Sequence, residues 1–144
     1  MLIGDLALTA AAFFTGAACY VNLAEQPARL GLDDRALLAE WKPAYKRGFA
    51  MQDPLAIAGF VLGVVAWWSS GASGFLAGAI LMIANWPWTL LGVMPTNRLL
   101  MATQLADADG GTRALILKWN WLHAVRTILG GLAMLAFLLA LASG

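Results

Sequence analysis

Four long apolar stretches run through this sequence, at residues 2–24, 54–70, 75–94 and 121–143. Crossing the hydrocarbon core of a bilayer takes a helix of about 20 predominantly apolar residues. The whole chain is 61% hydrophobic and only 12% charged, whereas an average soluble domain has about 25% charged residues. We therefore predict an all-α fold, an integral membrane four-helix bundle that forms a single transmembrane domain over residues 1–144.

The basic residues indicate how these spans are oriented. Eight of the nine lysines and arginines fall within the two longer loops, at residues 25–53 and 95–120: Arg29, Arg35, Lys42, Lys46, Arg47, Arg98, Arg113 and Lys118. Cytoplasmic loops of membrane proteins carry an excess of Lys and Arg. We expect both loops to be cytoplasmic and both termini to lie outside, in a bacterial inner membrane.

Both loops contain helix-forming sequence that would extend the spans on the cytoplasmic side. In the first loop, Asp33 or Asp34 can cap a short amphipathic helix whose apolar residues recur at helical spacing. Such a helix would lie in the membrane interface or pack on the end of the bundle. Asp53 is expected to cap the second span, and Thr112 to cap a helix that continues into the fourth span.

Polar residues gather near the cytoplasmic end of three of the four spans. They are Asn22, Glu25 and Gln26; Thr96, Asn97 and Arg98; and Asn120, His123 and Arg126. An arginine at mid-span costs about 2.5–3.5 kcal/mol on insertion scales, so these groups are expected to face one another. His123 and Arg126 are three residues apart and share one helix face, as do Asn22 and Glu25.

A pocket for a flat aromatic ligand is predicted beside this cluster. Trp86 and Trp88 flank a proline near the middle of the third span, where the missing backbone donor predicts a kink. Asn85 and Thr89 add polarity at the same depth. Together with Tyr20, the two tryptophans would form the walls of the pocket.

Each of these residues also has a purely structural explanation. Arg126 can reach the cytoplasmic interface with Glu25 as its salt-bridge partner, and His123 can be a hydrogen-bonded residue of a helix end. Asn22 and Asn85 can hold helices together through interhelical hydrogen bonds. The residues by themselves leave the structural and the functional interpretations open.

Metal, nucleotide and nucleic-acid chemistry receive little support. With one histidine and one cysteine, the chain lacks the ligand sets that zinc, copper and non-haem iron usually take, so no metal site is expected. A haem with His123 as one axial ligand stays open as an alternative. The sequence contains no glycine-rich phosphate loop and no basic face for nucleic acid.

Three stretches are familiar in combination: YVNLAEQPARL, MPTNRLL and WNWLHAVRT. In this order along the chain they resemble the DUF1772 family, also called the anthrone oxygenase-like family, of small four-span membrane proteins. The resemblance extends over nearly the whole chain. Its motifs correspond here to Asn22 and Glu25, to Pro95 and Asn97, and to Trp119, His123 and Arg126.

The resemblance implies an oxygenase. Fungal members of this family oxidise anthrones to anthraquinones with molecular oxygen and are understood to use neither metal nor flavin. His123 is then expected to act as the general base, and Arg126 and Asn97 to hold the developing oxyanion. Glu25 is expected to orient His123 or to neutralise Arg126.

We therefore expect a cofactor-independent oxygenase in the lipid bilayer, which acts on a flat, lipophilic, phenolic or anthrone-like substrate with molecular oxygen. The expected catalytic residues are His123, Arg126 and Glu25. The expected substrate-binding residues are Asn22, Asn97, Trp86, Trp88, Asn85, Trp119 and Tyr20. The alternative is a non-enzymatic membrane binding module or partner subunit, with haem or quinone held near His123. Homo-oligomerisation is left open by the sequence.

Overall fold

The computed structural model describes residues 1–143 of the chain, and its long elements are all helices. Helix α1 is Leu2–Leu30, α2 is Asp34–Ser70, α3 is Ser73–Ala102 and α4 is Gly110–Ala142. A 3₁₀ turn, Leu105–Asp107, lies between α3 and α4. All four helices are long and apolar enough to cross a membrane, which confirms the predicted all-α four-helix bundle.

Each helix packs against its neighbours in sequence, and α4 closes the ring by packing on α1. The connections are short, at residues 31–33, 71–72 and 103–109, so successive helices are antiparallel. The first and third connections therefore meet at one end of the bundle, the loop end. The start of α1, the end of α4 and the second connection lie at the opposite end, near the termini.

The half of the bundle near the termini has a core of phenylalanine and alanine. Phe14, Phe75 and Phe137 are each at most 2% exposed. Gly63 and Gly78 flank the Phe137 ring so closely that an added Cβ would lie 2.8 and 2.4 Å from it. Small residues let membrane helices approach each other closely. This core therefore holds the four helices together in the half of the bundle that is farther from the loop end.

Helix α2 differs from the two separate helices that the sequence predicted. Residues 34–49, expected as a separate short helix in the membrane interface or on the end of the bundle, form the first part of α2 without a break. Leu37 and Trp41 are fully buried against the loop ends of α3 and α4, so the bundle itself covers their apolar side. Asp53 consequently lies inside α2 and is not a helix cap. Asp33 caps α2 instead, because its Oδ1 accepts a backbone N–H at 2.9 Å.

Asp109, and not Thr112 as predicted, is the cap of α4. Its Oδ1 accepts the N–H of Thr112 at 2.9 Å, and the Thr112 hydroxyl accepts the N–H of Asp109 at 3.3 Å. This reciprocal pair is a capping box. Because the backbone N–H and hydroxyl of Thr112 hydrogen-bond to the carboxylate, the pKa of Asp109 is lowered.

Two turns of wide, π-helical geometry interrupt the α-helices in the loop-end half of the bundle. They are Val21–Glu25 in α1 and Thr89–Val93 in α3. Each is followed two residues later by a proline, Pro27 or Pro95. A proline ring crowds the carbonyl four residues earlier and cannot bond to it, so a wider turn at that point relieves the helix. Such turns often occur at functional sites.

Candidate functional site

His123 on α4 is held by Asn22, which lies in the wide turn of α1. Its Nδ1 lies 2.9 Å from Asn22 Oδ1. The Asn22 Nδ2 donates to the backbone carbonyl of Asn120 at 3.0 Å and to the Asn120 Oδ1 at 2.7 Å, and Thr127 donates to Asn22 Oδ1 at 2.7 Å. These bonds orient the amide so that its oxygen faces the ring. Nδ1 of the neutral imidazole therefore carries the proton, and Nε2 is the basic nitrogen.

Trp119 restricts the ring of His123 from another side. The two rings stack with their centroids 5.0 Å apart and an interplanar angle of 30°. Trp119 lies one turn before His123 on the same face of α4, as the spacing predicts. Its far edge meets the ring of Trp41 at 5.7 Å between centroids. With an indole on one side and an amide on another, the imidazole has little freedom to rotate.

Arg126 is buried in the bundle and is paired with Asp53 of α2. Its Nη2 lies 2.7 Å from Asp53 Oδ1, and its Nη1 donates to Thr89 Oγ1 at 2.9 Å. The guanidinium carbon lies 5.6 Å from the centre of the Phe14 ring. Arg126 is only 5% exposed, so Asp53 neutralises a charge that would be costly to bury alone.

Glu25 pairs with Arg29, one turn further along α1, and not with Arg126. The expected contact between Glu25 and Arg126 is therefore not formed, because Arg126 is already held by a carboxylate of α2. The Nε of Arg29 lies 2.8 Å from Glu40 Oε2, and its guanidinium carbon lies 5.8 Å from the centre of the Trp119 ring. The loop-end half thus contains two separate buried cations, each with its own carboxylate partners.

A small cavity lies between these groups. Its free volume is about 30 Å³, which is room for about two water molecules. Five of the predicted site residues line it: Glu25, Asn97, Trp119, His123 and Arg126. The wall also contains Arg29, Tyr45, Phe49, Gln52 and Thr89. All four helices therefore contribute to this site, which we call the His123 cavity.

Several buried polar atoms around the His123 cavity make no hydrogen bond to any residue that the structure describes. They are Asn97 Nδ2 and Oδ1, Gln52 Oε1, Trp119 Nε1 and Arg126 Nε. Asn97 is 1% exposed and Gln52 is 2% exposed. Buried polar atoms are normally paired, and a few converging polar groups in an apolar wall are typical of a binding site. The cavity offers both donors and acceptors to a ligand.

Five of the seven predicted binding residues do not line the cavity: Asn22, which bonds to His123, and four that are placed elsewhere. Trp88 Nε1 donates to a backbone carbonyl of α4 at 2.9 Å, and Trp86 packs against the phenylalanine and alanine core. Asn85 donates to a carbonyl of the preceding turn at 3.1 Å, beside a break of α3 at Ala84 that matches the predicted kink. Tyr20 is 63% exposed and lines a neighbouring groove. The aromatic side chains in the cavity wall are instead those of Tyr45, Phe49 and Trp119.

Sequence reasoning missed several residues of the site, Phe49 of the cavity wall among them. Gln52 and Asp53 were interpreted as the start of a helix, since a carboxylate before a proline is typical of one. Tyr45 was expected on the apolar side of the short helix of the first loop, in the membrane interface or against the end of the bundle. Arg29 was treated as a loop charge, although its spacing of four residues from Glu25 is the signal of a salt bridge on one helix face.

Comparison with known proteins points to the family that the three motifs resemble. A family model described as anthrone oxygenase matches residues 41–136. The chain is 29% identical over 140 residues to anthrone oxygenase AgnL2 of Paecilomyces divaricatus, and this alignment covers 85% of each chain. It is also 29% identical over 139 residues to an anthrone oxygenase of Claviceps purpurea (strain 20.1), which covers 86% of this chain and 79% of the relative.

No solved structure matches the chain. The segment that the family model matches contains every residue that α2, α3 and α4 contribute to the His123 cavity. The similarity to the two relatives extends over most of the chain as well. This four-helix protein therefore belongs to the anthrone oxygenase family.

Proposed function

We propose that this protein is a membrane-embedded oxygenase that converts a flat, phenolic, anthrone-type substrate to the corresponding anthraquinone with molecular oxygen. Family membership supports the reaction class, and two relatives are named anthrone oxygenases. One arrangement carries the proposal. His123 keeps its basic Nε2 for a buried cavity that also receives Arg126 and the unpaired amide of Asn97.

The first step is removal of a proton from the methylene carbon that lies opposite the carbonyl of the anthrone. His123 Nε2 accepts this proton, a role that is typically worth about 10²- to 10⁴-fold in rate. The electron pair left behind delocalises onto the carbonyl oxygen. Asn97 Nδ2 and Arg126 Nε, which make no other hydrogen bond among the described residues, stabilise the oxyanion that forms when this carbanion reduces O₂ beside His123.

The electron-rich anion then reacts with oxygen directly. It transfers one electron to O₂, and the resulting carbon radical and superoxide combine to form a C–O bond. The protonated His123 returns its proton to the outer oxygen, which gives a hydroperoxide. Loss of the second methylene proton breaks the O–O bond, forms the new C=O bond and releases water. One CH₂ group and one O₂ are thereby converted to one carbonyl group and one H₂O.

Because the substrate anion itself reduces oxygen, we propose that the reaction needs no metal or flavin. The protein supplies the base, the oxyanion contacts and the apolar surroundings. In this scheme Asn22 positions His123, and Trp119 and Tyr45 contact the reacting edge of the substrate. Glu25 and Arg29 form the charged edge of the cavity.

We also propose that the loop end of the bundle faces the cytoplasm. Five of the basic residues at this end are exposed, namely Arg35, Lys46, Arg47, Arg98 and Lys118, and basic residues favour that side. Trp121 is 76% exposed, as expected of a ring at the membrane interface. From Trp121 to the end of α4 the helix rises about 30 Å, the thickness of a hydrocarbon core. This placement sets the His123 cavity near the cytoplasmic interface.

The test is oxygen uptake by the purified protein with anthrone, followed together with the absorbance of the anthraquinone formed. We expect equal amounts of oxygen consumed and anthraquinone produced, at a rate well above the uncatalysed background. His123→Ala should lose most of this rate. Since His123 is the only histidine of the chain, imidazole added to His123→Ala should restore part of the activity by acting as the missing base.

Lys118→Ala is the matched control, since Lys118 is an exposed residue of the same helix. It should keep the wild-type rate, and His123→Ala should keep the wild-type thermal transition. Full activity of His123→Ala would contradict the role of His123 as the base. Oxygen uptake no faster than background, with anthrone and with hydroxylated anthrones, would contradict the proposed function as a whole.

A further inference from the structure

A second and much larger depression lies between α1 and α2, beside the His123 cavity. Its volume is about 690 Å³. It shares five lining residues with the cavity: Val21, Glu25, Ala44, Gly48 and Gln52. The two spaces are therefore neighbours that share these residues as a common wall. We call the larger space the α1–α2 groove.

The two volumes are suited to different parts of a substrate. Pockets that bind drug-sized ligands are about 300–1,000 Å³. The His123 cavity, at about 30 Å³, has no room for a polycyclic ring system, but it has room for one reacting edge and a diatomic gas. The α1–α2 groove is within the range that a polycyclic aromatic molecule requires.

The wall of the groove has the chemistry that such a molecule needs. Ala17, Pro43 and Met51 provide apolar surface, and a methionine adapts its shape to a flat ring. Tyr20 adds an aromatic face on which a ring can stack. The carboxylate of Glu40 lies at the same groove and can accept hydrogen bonds from phenolic hydroxyl groups.

The wall between the two spaces is thin at Gly48 and Gln52. Gly48 has no side chain, and a Cβ added there would meet only Gln52 Nε2, at 3.8 Å. Gln52 is 2% exposed, and its Oε1 has no hydrogen-bond partner among residues 1–143. A glycine next to an incompletely paired amide is where a ligand can pass with the least displacement of the helix.

From these observations we infer that the α1–α2 groove binds the body of a flat, hydroxylated, polycyclic aromatic substrate, whose reacting methylene edge passes Gly48 and Gln52 to reach His123. The inference rests on the proposed function and extends it. The groove accounts for most of the binding surface, and the His123 cavity accounts for the chemistry.

Anthraquinone binding tests this without requiring turnover. Binding to the detergent-purified protein is measured by quenching of tryptophan fluorescence. Ala17→Leu narrows the groove at a residue that does not line the His123 cavity, and Gly48→Leu fills the passage. Each should weaken binding by at least about tenfold. Ala12→Leu is the matched control, since Ala12 is exposed on the same helix and is not part of the groove, and it should bind as the wild type does.

A wild-type measurement covers the case in which a variant is poorly folded. Irradiation of the protein with a bound azidoanthraquinone should label peptides within residues 17–25 or 40–52. Labels confined to other segments would overturn the groove, as would the absence of saturable anthraquinone binding. Loss of binding in Gly48→Leu alone, with Ala17→Leu like its control, would overturn it too.

The same variants separate this inference from the proposed function. If both groove variants lose anthraquinone binding but no turnover depends on His123, the groove is supported and the oxygenase is refuted. Turnover that depends on His123, but is unchanged in both groove variants, would support the oxygenase and refute the groove.

Discussion

Asn22 Oδ1 lies 2.9 Å from His123 Nδ1, and the Asn22 amide is itself held by two hydrogen bonds to Asn120, on the same helix as the histidine. This contact joins the wide turn of α1 to α4. It determines that Nδ1 carries the proton and that Nε2 is the nitrogen left free to accept one. Asn22 does not line the cavity, so in the proposed reaction it is a positioning residue that acts through His123.

Replacing Asn22 with leucine should lower kcat and change KM little. Leucine removes the acceptor of Nδ1–H, whose hydrogen bond strengthens as His123 becomes positively charged; a loss of about 1–3 kcal/mol in that charged state corresponds to roughly 5- to 150-fold in rate. Thr127→Val removes a different hydrogen bond to the same Asn22 oxygen and should lose much less. Steady-state oxygen uptake over a range of anthrone concentrations measures both constants. Equal losses in the two variants would argue for a general loosening of the bundle.

The ion pair between Arg126 and Asp53 should behave as a unit in unfolding experiments. Removing one partner of a buried pair typically costs about 3–5 kcal/mol, whereas replacing both with apolar residues can be nearly neutral. Arg126→Leu and Asp53→Leu should each lower the thermal midpoint strongly, and the double variant should recover much of the loss. The comparison is made in one detergent by thermal unfolding. Additive losses would show that the two side chains are not coupled.

The cap of α4 should make stability depend on pH in the acid range. The pKa of Asp109 is lowered in the folded state by hydrogen bonds from Thr112. Its stabilising contribution is therefore present above the unfolded pKa of about 3.9 and is lost as the pH falls through the folded value. Asp109→Asn keeps a capping side chain that does not titrate. The difference in thermal midpoint between wild type and Asp109→Asn should shrink as the pH is lowered, and a constant difference would contradict this.

Oxygen uptake should survive the removal of metals and flavins. If the substrate anion reduces oxygen itself, dialysis against a chelator and passage over charcoal should leave the rate unchanged. An absorption spectrum of the same sample tests the haem alternative. A Soret band that disappears in His123→Ala, or activity restored only by an added metal, would refute the cofactor-free reaction.

Sequence reasoning predicted what depends on local helix geometry. Trp119, His123 and Arg126 share one face of α4 because their spacing follows the helical repeat, and they do line one cavity. The cost of burying Arg126 predicted that a carboxylate would face it. The identity of that carboxylate was not local information, since Asp53 is 73 residues away on a helix that was expected to begin there.

Other differences arise from turns that hydrophobic spacing does not reveal. A regular α-helix advances about 100° per residue, so one extra residue in a wide turn moves every later side chain to another face. Asn97, which follows the wide turn of α3, lines the cavity, whereas Asn85, which precedes that turn, bonds to its own helix. Trp86 and Trp88 were predicted as pocket walls because they flank a proline, but Trp86 packs in the core and Trp88 bonds to α4.

The wide turns at Val21–Glu25 and Thr89–Val93 divide α1 and α3 into two parts whose rotational phases are set separately. In each helix, the part near the termini turns its small and aromatic side chains toward the phenylalanine and alanine core. The part beyond the wide turn is rotated differently and turns other side chains toward the cavity. A single-residue deletion within either turn would leave a continuous helix but rotate one part against the other. Substitutions that alter substrate preference can therefore occur in the loop-end half without changing how the helices pack near the termini.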